Sequence, residues 1–220
     1  MKKSLNDAII ECRLCPRLVE HRESVPSRKC YASETHWRKP IPGFGDPEAW
    51  LLILGLAPSS DGANRTGRIF TGDPSAKFLI RNLHAAGFAN QPDSLHRQDG
   101  LKLIGCYLTA AVKCVPPKHK PLPIEIERCS RYLEEELTLL PRLKSVLALG
   151  QIAFQAYKSH LLRRNIACRS FKFAHGACYE CEGVPLLYAS YHPSPQNTNT
   201  GVLTDQSFQC LLKKIQERAL

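Results

Sequence analysis

Residues 50–57 read WLLILGLA and lead straight into PSSDGANRTGRIFTGD at 58–73. A short, uncharged run without polar alternation is the pattern of a strand covered on both faces, as in a parallel sheet between helices. Working outward, residues 101–112 (LKLIGCYLTAAV) and 145–149 (SVLAL) repeat that pattern. Residues 171–181 and 185–191 read as a strand pair turning at Glu182-Gly183. Between the strands, 75–87, 124–139 and 151–163 carry helical spacing, and 204–218 forms a terminal amphipathic helix. In 124–139, Ile126, Cys129, Leu133 and Leu137 share one side, with Glu134 to Glu136 mostly outside. Residues 3–21 also have helical spacing, with a break expected at Pro16. Residues 22–49 are polar, rich in Pro, Gly and Arg, and read as a long functional loop. Alternating strands and helices specify an α/β sandwich with a mostly parallel sheet.

The chain has 220 residues, a length suited to one domain over 1–220. No apolar run approaches the roughly 18 residues of a membrane span. The N-terminus starts basic but has no signal-peptide apolar core, so a soluble cytoplasmic protein with reduced thiols is expected. Apolar residues make up 43%, too many for intrinsic disorder. Lys and Arg number 30 against 20 Asp and Glu, a formal charge of +10 that suits nucleic acid, although an indifferent basic surface fits equally. The ten cysteines need a reason other than disulfides.

In open α/β sheets ligands bind beyond the carboxyl ends of the strands. Three loops leave such ends, at 55–73, 113–123 and 192–201, and hold most of the unusual residues. The first is rich in Gly but lacks the Gly-Lys-Ser/Thr of a phosphate-binding P-loop. Arg65 and Arg68 offer guanidiniums to phosphates, and Phe70 offers a face to a base, worth about 1–3 kcal/mol. Asp73 is placed to act on water, yet Asp73-Pro74 is equally a helix-start signal. In the third loop a stiff Pro-Ser-Pro turn fixes His192 in space, as a group donating to a reacting atom requires. The polar run after it suits a DNA groove or plain solvent.

Gly55-Leu-Ala-Pro58, Gly62-Ala-Asn-Arg-Thr-Gly-Arg68, Phe70-Thr-Gly-Asp73 and His192-Pro-Ser-Pro195 together resemble the two active-site motifs of the uracil-DNA glycosylase superfamily, most closely its type-5 branch. The resemblance implies a three-layer α/β/α sandwich with a central four-stranded parallel sheet. It implies a monomeric base-excision repair enzyme that flips a deaminated base out of DNA and hydrolyses its bond to deoxyribose. On this reading Asp73 and His192 are catalytic. Phe70, Gly55, Ala57 and Ala110 bind the base. Asn64, Arg65, Arg68, Gln196 and Asn197 contact DNA, with Lys113, Lys118 and Lys120 as weaker phosphate partners.

The resemblance also implies a [4Fe–4S] cluster on Cys12, Cys15, Cys114 and Cys129. Spacing alone leaves zinc open, on Cys12 and Cys15 with Cys178 and Cys181. Strand alternation at 178–181 weighs against zinc by turning those two to opposite faces. Cys30, Cys106, Cys168 and Cys210 read as packing or incidental thiols.

The departures from the family pattern concern specificity. Ala110 stands where uracil-specific branches have an Asn, which relaxes base choice toward hypoxanthine and xanthine. His119 stands where the family often has an Asn, and is an auxiliary candidate. Ser59-Ser60-Asp61 replaces a small, His-containing stretch; a carboxylate near phosphates requires that Asp61 turn away or pair with an Arg. A non-catalytic iron–sulfur or zinc DNA-binding module on the same fold is the alternative function.

Overall fold

The structure is a computed structural model and describes residues 4–26 and 28–219. Its strands are β1 (Phe44–Gly45), β2 (Leu51–Gly55), β3 (Cys106–Ala110), β4 (Ser145–Leu149), β5 (Cys178–Tyr179) and β6 (Leu186–Ser190). They form one sheet in the order β1-β3-β2-β4-β6-β5. The four inner strands run parallel, with Ile53 between Leu108 and Leu147 and Ala148 beside Ala189. Two-residue antiparallel strands close each edge. The expected four-stranded parallel sheet is thus the centre of a six-stranded one.

The helices are α1 (Leu5–Ile10), α2 (Pro16–Ser24), α3 (Ala63–Thr66), α4 (Pro74–Ala85), α5 (Pro123–Thr138), α6 (Gln151–Arg163), α7 (Pro195–Asn199) and α8 (Asp205–Ala219). Four begin on a proline, whose missing N–H costs nothing in a first turn. The N-terminal helix breaks before Pro16 as expected. No helix among the described residues is long and apolar enough to cross a membrane.

Period-two alternation along the buried β2 builds both cores. Leu51 and Ile53 join Phe78, Leu79, Phe208 and Leu212 of α4 and α8. Leu52 and Leu54 join Leu133, Phe154, Tyr157 and Leu161 of α5 and α6. Truncating such a residue to Ala costs about 2–5 kcal/mol.

Several elements differ from the sequence reading. The strand expected at 101–112 is regular only at Cys106–Ala110, because Gly105 turns at φ +66°. Of 171–181 only Cys178–Tyr179 pairs. The short α3 and α7 lie inside stretches read as loops. Glu136 is not outside but wholly buried, paired with Lys113 Nζ at 2.7 Å and accepting from Thr109 Oγ1 at 2.7 Å. Lys113 is therefore an interior ion-pair partner, not a surface cation for phosphate.

Candidate active site

The ends of β2, β3 and β6 open onto a cleft of about 540 Å³. The first loop contributes Leu56 to Asp61 and Gly72 to Ser75, the second Pro116 and His119, the third His192, Ser194, Pro195 and Gln196. The three loops singled out in the sequence thus meet. A fourth contribution comes from the long loop at 22–49, through Arg28 and Tyr31, neither of which was singled out in the sequence. That segment has no periodicity to reveal it.

An inner recess of about 40 Å³ lies between Asp73, Ser59, His192 and Phe70. Asp73 caps α4: its Oδ1 accepts from the Ala76 amide at 2.8 Å. Its Oδ2 accepts from Ser59 Oγ, and Ser59 Oγ in turn accepts from the Gly62 amide. The helix-start and site readings of Asp73 therefore both hold for its geometry, one oxygen serving each. Phe70 takes the left-handed backbone, φ +50°, strain of about 1–3 kcal/mol for a bulky residue. Gly55 makes room beneath it, since a Cβ there would lie 2.8 Å from Phe70 Cζ. Gly55 and its ladder partner Ala110 lie in the core below the recess and line neither cavity, whereas Ala57 lines both.

His192 is held by its backbone. Its carbonyl accepts from the Ser194 amide and from Asn197 Nδ2, both at 2.8 Å. Burial holds the imidazole below its ordinary pKa; Asp73 opposes that shift and His119 adds to it. Asn197 is thus a brace for His192, while Gln196 sits exposed at the cleft rim. Residues 195–199 form α7 rather than a free polar run.

The arginines expected on phosphate face inward instead. Arg65 is buried; it donates to Glu34 Oε2 at 2.6 Å and to the carbonyls of Asp61 and Gly72, and stacks on Tyr31. Arg68 uses its whole fork on Thr71, Ser94, the Arg97 carbonyl and Asp99. Burial opposes ionisation of Asp99, but Arg68 and the Leu101 and Leu95 amides outweigh it and hold the carboxyl well below the usual range. Asn64 is buried and donates to the Arg22 carbonyl at 3.2 Å. All three position the loop, because each polar atom committed inside is unavailable to DNA. The exposed cation lining the cleft is Arg28, which pairs with Asp61 at 2.7 Å, and Lys118 and Lys120 are exposed on either side of His119 in the chain. Asp61 thus meets the condition set for it.

Residues 42–216 match the family model of the Uracil DNA glycosylase superfamily. A type-5 uracil-DNA glycosylase of Thermus thermophilus is 50% identical over 208 residues, covering 94% of this chain and 93% of that protein. Those of Pyrobaculum aerophilum and Mycobacterium leprae are 41% and 42% identical, covering 94% and 91% of this chain and 88% of each relative. The chain belongs to the type-5 branch of the uracil-DNA glycosylase superfamily.

For this type-5 family member the cysteines implied as cluster ligands come together. Cys15, Cys114 and Cys129 pack with Leu18, Val112 and Ile126, and Cys12 lies within electrostatic reach of all three. Burial pushes Cys114 up to about 11 and Cys129 up to about 12. Arg22, 2% exposed, donates to Cys114 Sγ at 3.1 Å. A buried cation against one of these clustered thiols fits an anionic thiolate-bound group. Among the described residues no three His, Cys, Asp or Glu side chains converge on a single metal ion. The zinc alternative fits poorly for a second reason. β5, which carries Cys178, lies four strand spacings from β3, about 19 Å away.

Proposed function

We propose that this type-5 family member hydrolyses the bond between deoxyribose and uracil in DNA, with Asp73 and His192 as its catalytic groups. The convergence of Asp73 and His192 on one recess, from different loops, carries the reading. The nucleotide flips out of the duplex to reach it. Phe70 supplies an aromatic wall for the base, and Arg28, Lys118 and Lys120 meet phosphates. As the C1′–N bond breaks, its electron pair leaves with the base. His192 donates a hydrogen bond to that anion, with first-loop amides beside it. Asp73 holds the attacking water, whose oxygen bonds C1′ and whose proton passes to the carboxylate or to solvent. His119 assists from the cleft rim. With no Asn at Ala110 to read the base edge, hypoxanthine and xanthine are substrates as well.

Cys12, Cys15, Cys114 and Cys129 would hold a [4Fe–4S] cluster, which serves here as a structural clip because hydrolysis moves no electrons. Arg22 supplies the compensating charge.

A duplex carrying uracil, treated with alkali to cleave abasic sites, tests the reaction. The sharpest variant is Asp73→Ser, because Ser keeps the helix cap that Asp73 provides. We expect kcat to fall by about 10²-fold or more with stability within about 0.5 kcal/mol of wild type. Tight DNA binding without abasic product would show the non-catalytic module instead. A panel with hypoxanthine and xanthine tests base range; cleavage of uracil alone would overturn the relaxed reading.

A further inference from the structure

The cysteine site and the first loop meet at one residue. Arg22 lies in α2, and its Nη1 donates both to Cys114 Sγ at 3.1 Å and to the Cys12 carbonyl at 3.2 Å. The Arg22 carbonyl accepts from Asn64 Nδ2 at 3.2 Å. Asn64 belongs to α3, inside the same loop that carries Asp73. A second tie converges on it: the Arg38 amide donates to the Asn64 carbonyl at 2.9 Å, while the Arg38 guanidinium holds the Glu23 and Val25 carbonyls. The end of α2 and the base of the first loop are therefore one hydrogen-bonded body.

Two polar atoms at this junction are left over. Arg22 Nε and Asn64 Oδ1 are buried without a hydrogen-bond partner in the protein. One is a donor and the other an acceptor, so the junction keeps unused hydrogen-bonding capacity of both kinds. The Arg22 charge is also poorly answered. Its carboxylate neighbour is Glu23, 3.4 Å from Nη2 and largely at the surface. A buried guanidinium so placed gains most from anionic sulfur beside it.

We propose that Arg22 is a positioning residue that couples the four-cysteine site to the first loop. Its guanidinium answers the charge of the thiolates and its carbonyl holds Asn64, so ordering one end orders the other. The proposal rests on the cluster and DNA readings above. DNA that holds the first loop in the bonded arrangement described above lowers the population that releases iron.

Iron release to a chelator, followed by loss of visible absorbance, is the test. It is run on the full chain alone and with a duplex carrying an abasic-site analogue. DNA is expected to slow release from wild type about fivefold or more, the low end of ordinary coupling between sites. Asn64→Ala leaves the four thiols and Arg22 in place. It should hold wild-type iron but show weaker protection by DNA, with only the Arg38 tie to the Asn64 carbonyl remaining. Asn64→Ser, whose hydroxyl is too short to span to the Arg22 carbonyl, serves if the Ala variant does not fold. Arg22→Gln should release iron faster even without DNA. Protection that persists undiminished in iron-loaded Asn64→Ala, or is missing from wild type, overturns the coupling. A wild-type protein free of iron and sulfide defeats the cluster reading itself, and the coupling with it.

Discussion

His192 sits where burial favours the neutral imidazole, and a neutral ring can still donate one hydrogen bond to a leaving base. Its titration in the folded protein should lie below the ordinary 6.5, measurable by NMR of the ring. Asp73→Asn removes the charge that raises it and should lower it further. His119→Asn removes the neighbour that lowers it and should raise it. Shifts of the opposite sign would detach His192 from both neighbours. The placement of Asp73 and His192 at the strand ends was legible in the sequence because their constraints are local: Asp73 precedes a helix-starting Pro74, and His192 precedes Pro193. Arg65 and Arg68 were not. Glu34 and Asp99 each lie 31 residues from the arginine they hold, so nothing nearby marks either guanidinium as buried. The same distance effect hid Lys113 and Glu136.

At the scale of the first loop, the glycine that decides the geometry is Gly62. A Cβ there would press on Asp73 Oδ2 and Ser59 Oγ more closely than real atoms approach. Gly62→Ala is therefore expected to displace the carboxylate. Misplacing a catalytic group by about 1 Å costs on the order of 10²-fold. We expect kcat on uracil duplexes to fall on that scale, while urea denaturation shows a loss of less than about 1 kcal/mol. Unchanged kcat would mean that the loop relaxes and that Asp73 is not so finely held. Helix boundaries were readable at Pro74 and Pro123, where proline opens the first turn of a long helix. The short α3 and α7 escaped because four or five residues carry no 3.6-residue period.

Across the whole molecule, four histidines titrate low for the same leading reason, burial: His21, His160, His175 and His192. Below pH 6.5 the unfolded chain takes up protons that the folded one refuses, so stability falls as pH drops from there toward the folded values. The depressed carboxyls of Asp99, Glu125 and Asp205 work in a lower window. Their contribution stays until pH falls below the ordinary carboxylate range and through their folded values. Tm should hold from pH 8 to 7 and decline between 6.5 and 5, before those carboxyls protonate. A flat Tm to pH 5 would rule the histidines out as the cause. The fold class itself was plain from the sequence, because buried parallel strands are written as unbroken apolar runs. The edge strand β1 was not, since two residues define no pattern, and β5 was read within 171–181 but far too long.

The first loop divides into two parts with different freedoms. Asn64, Arg65, Arg68 and Thr71 are fastened inside the protein and Ser59 Oγ is committed to Asp73 and the Gly62 amide, while the Ser60 and Asp61 side chains stand at the cleft. The anchored part guards the fold and the carboxylate, and the two residues at the tip can change without threatening either. Selection for a new base preference therefore has two adjacent positions to explore at little cost in stability, and a library confined to 60–61 is the short route to altered specificity.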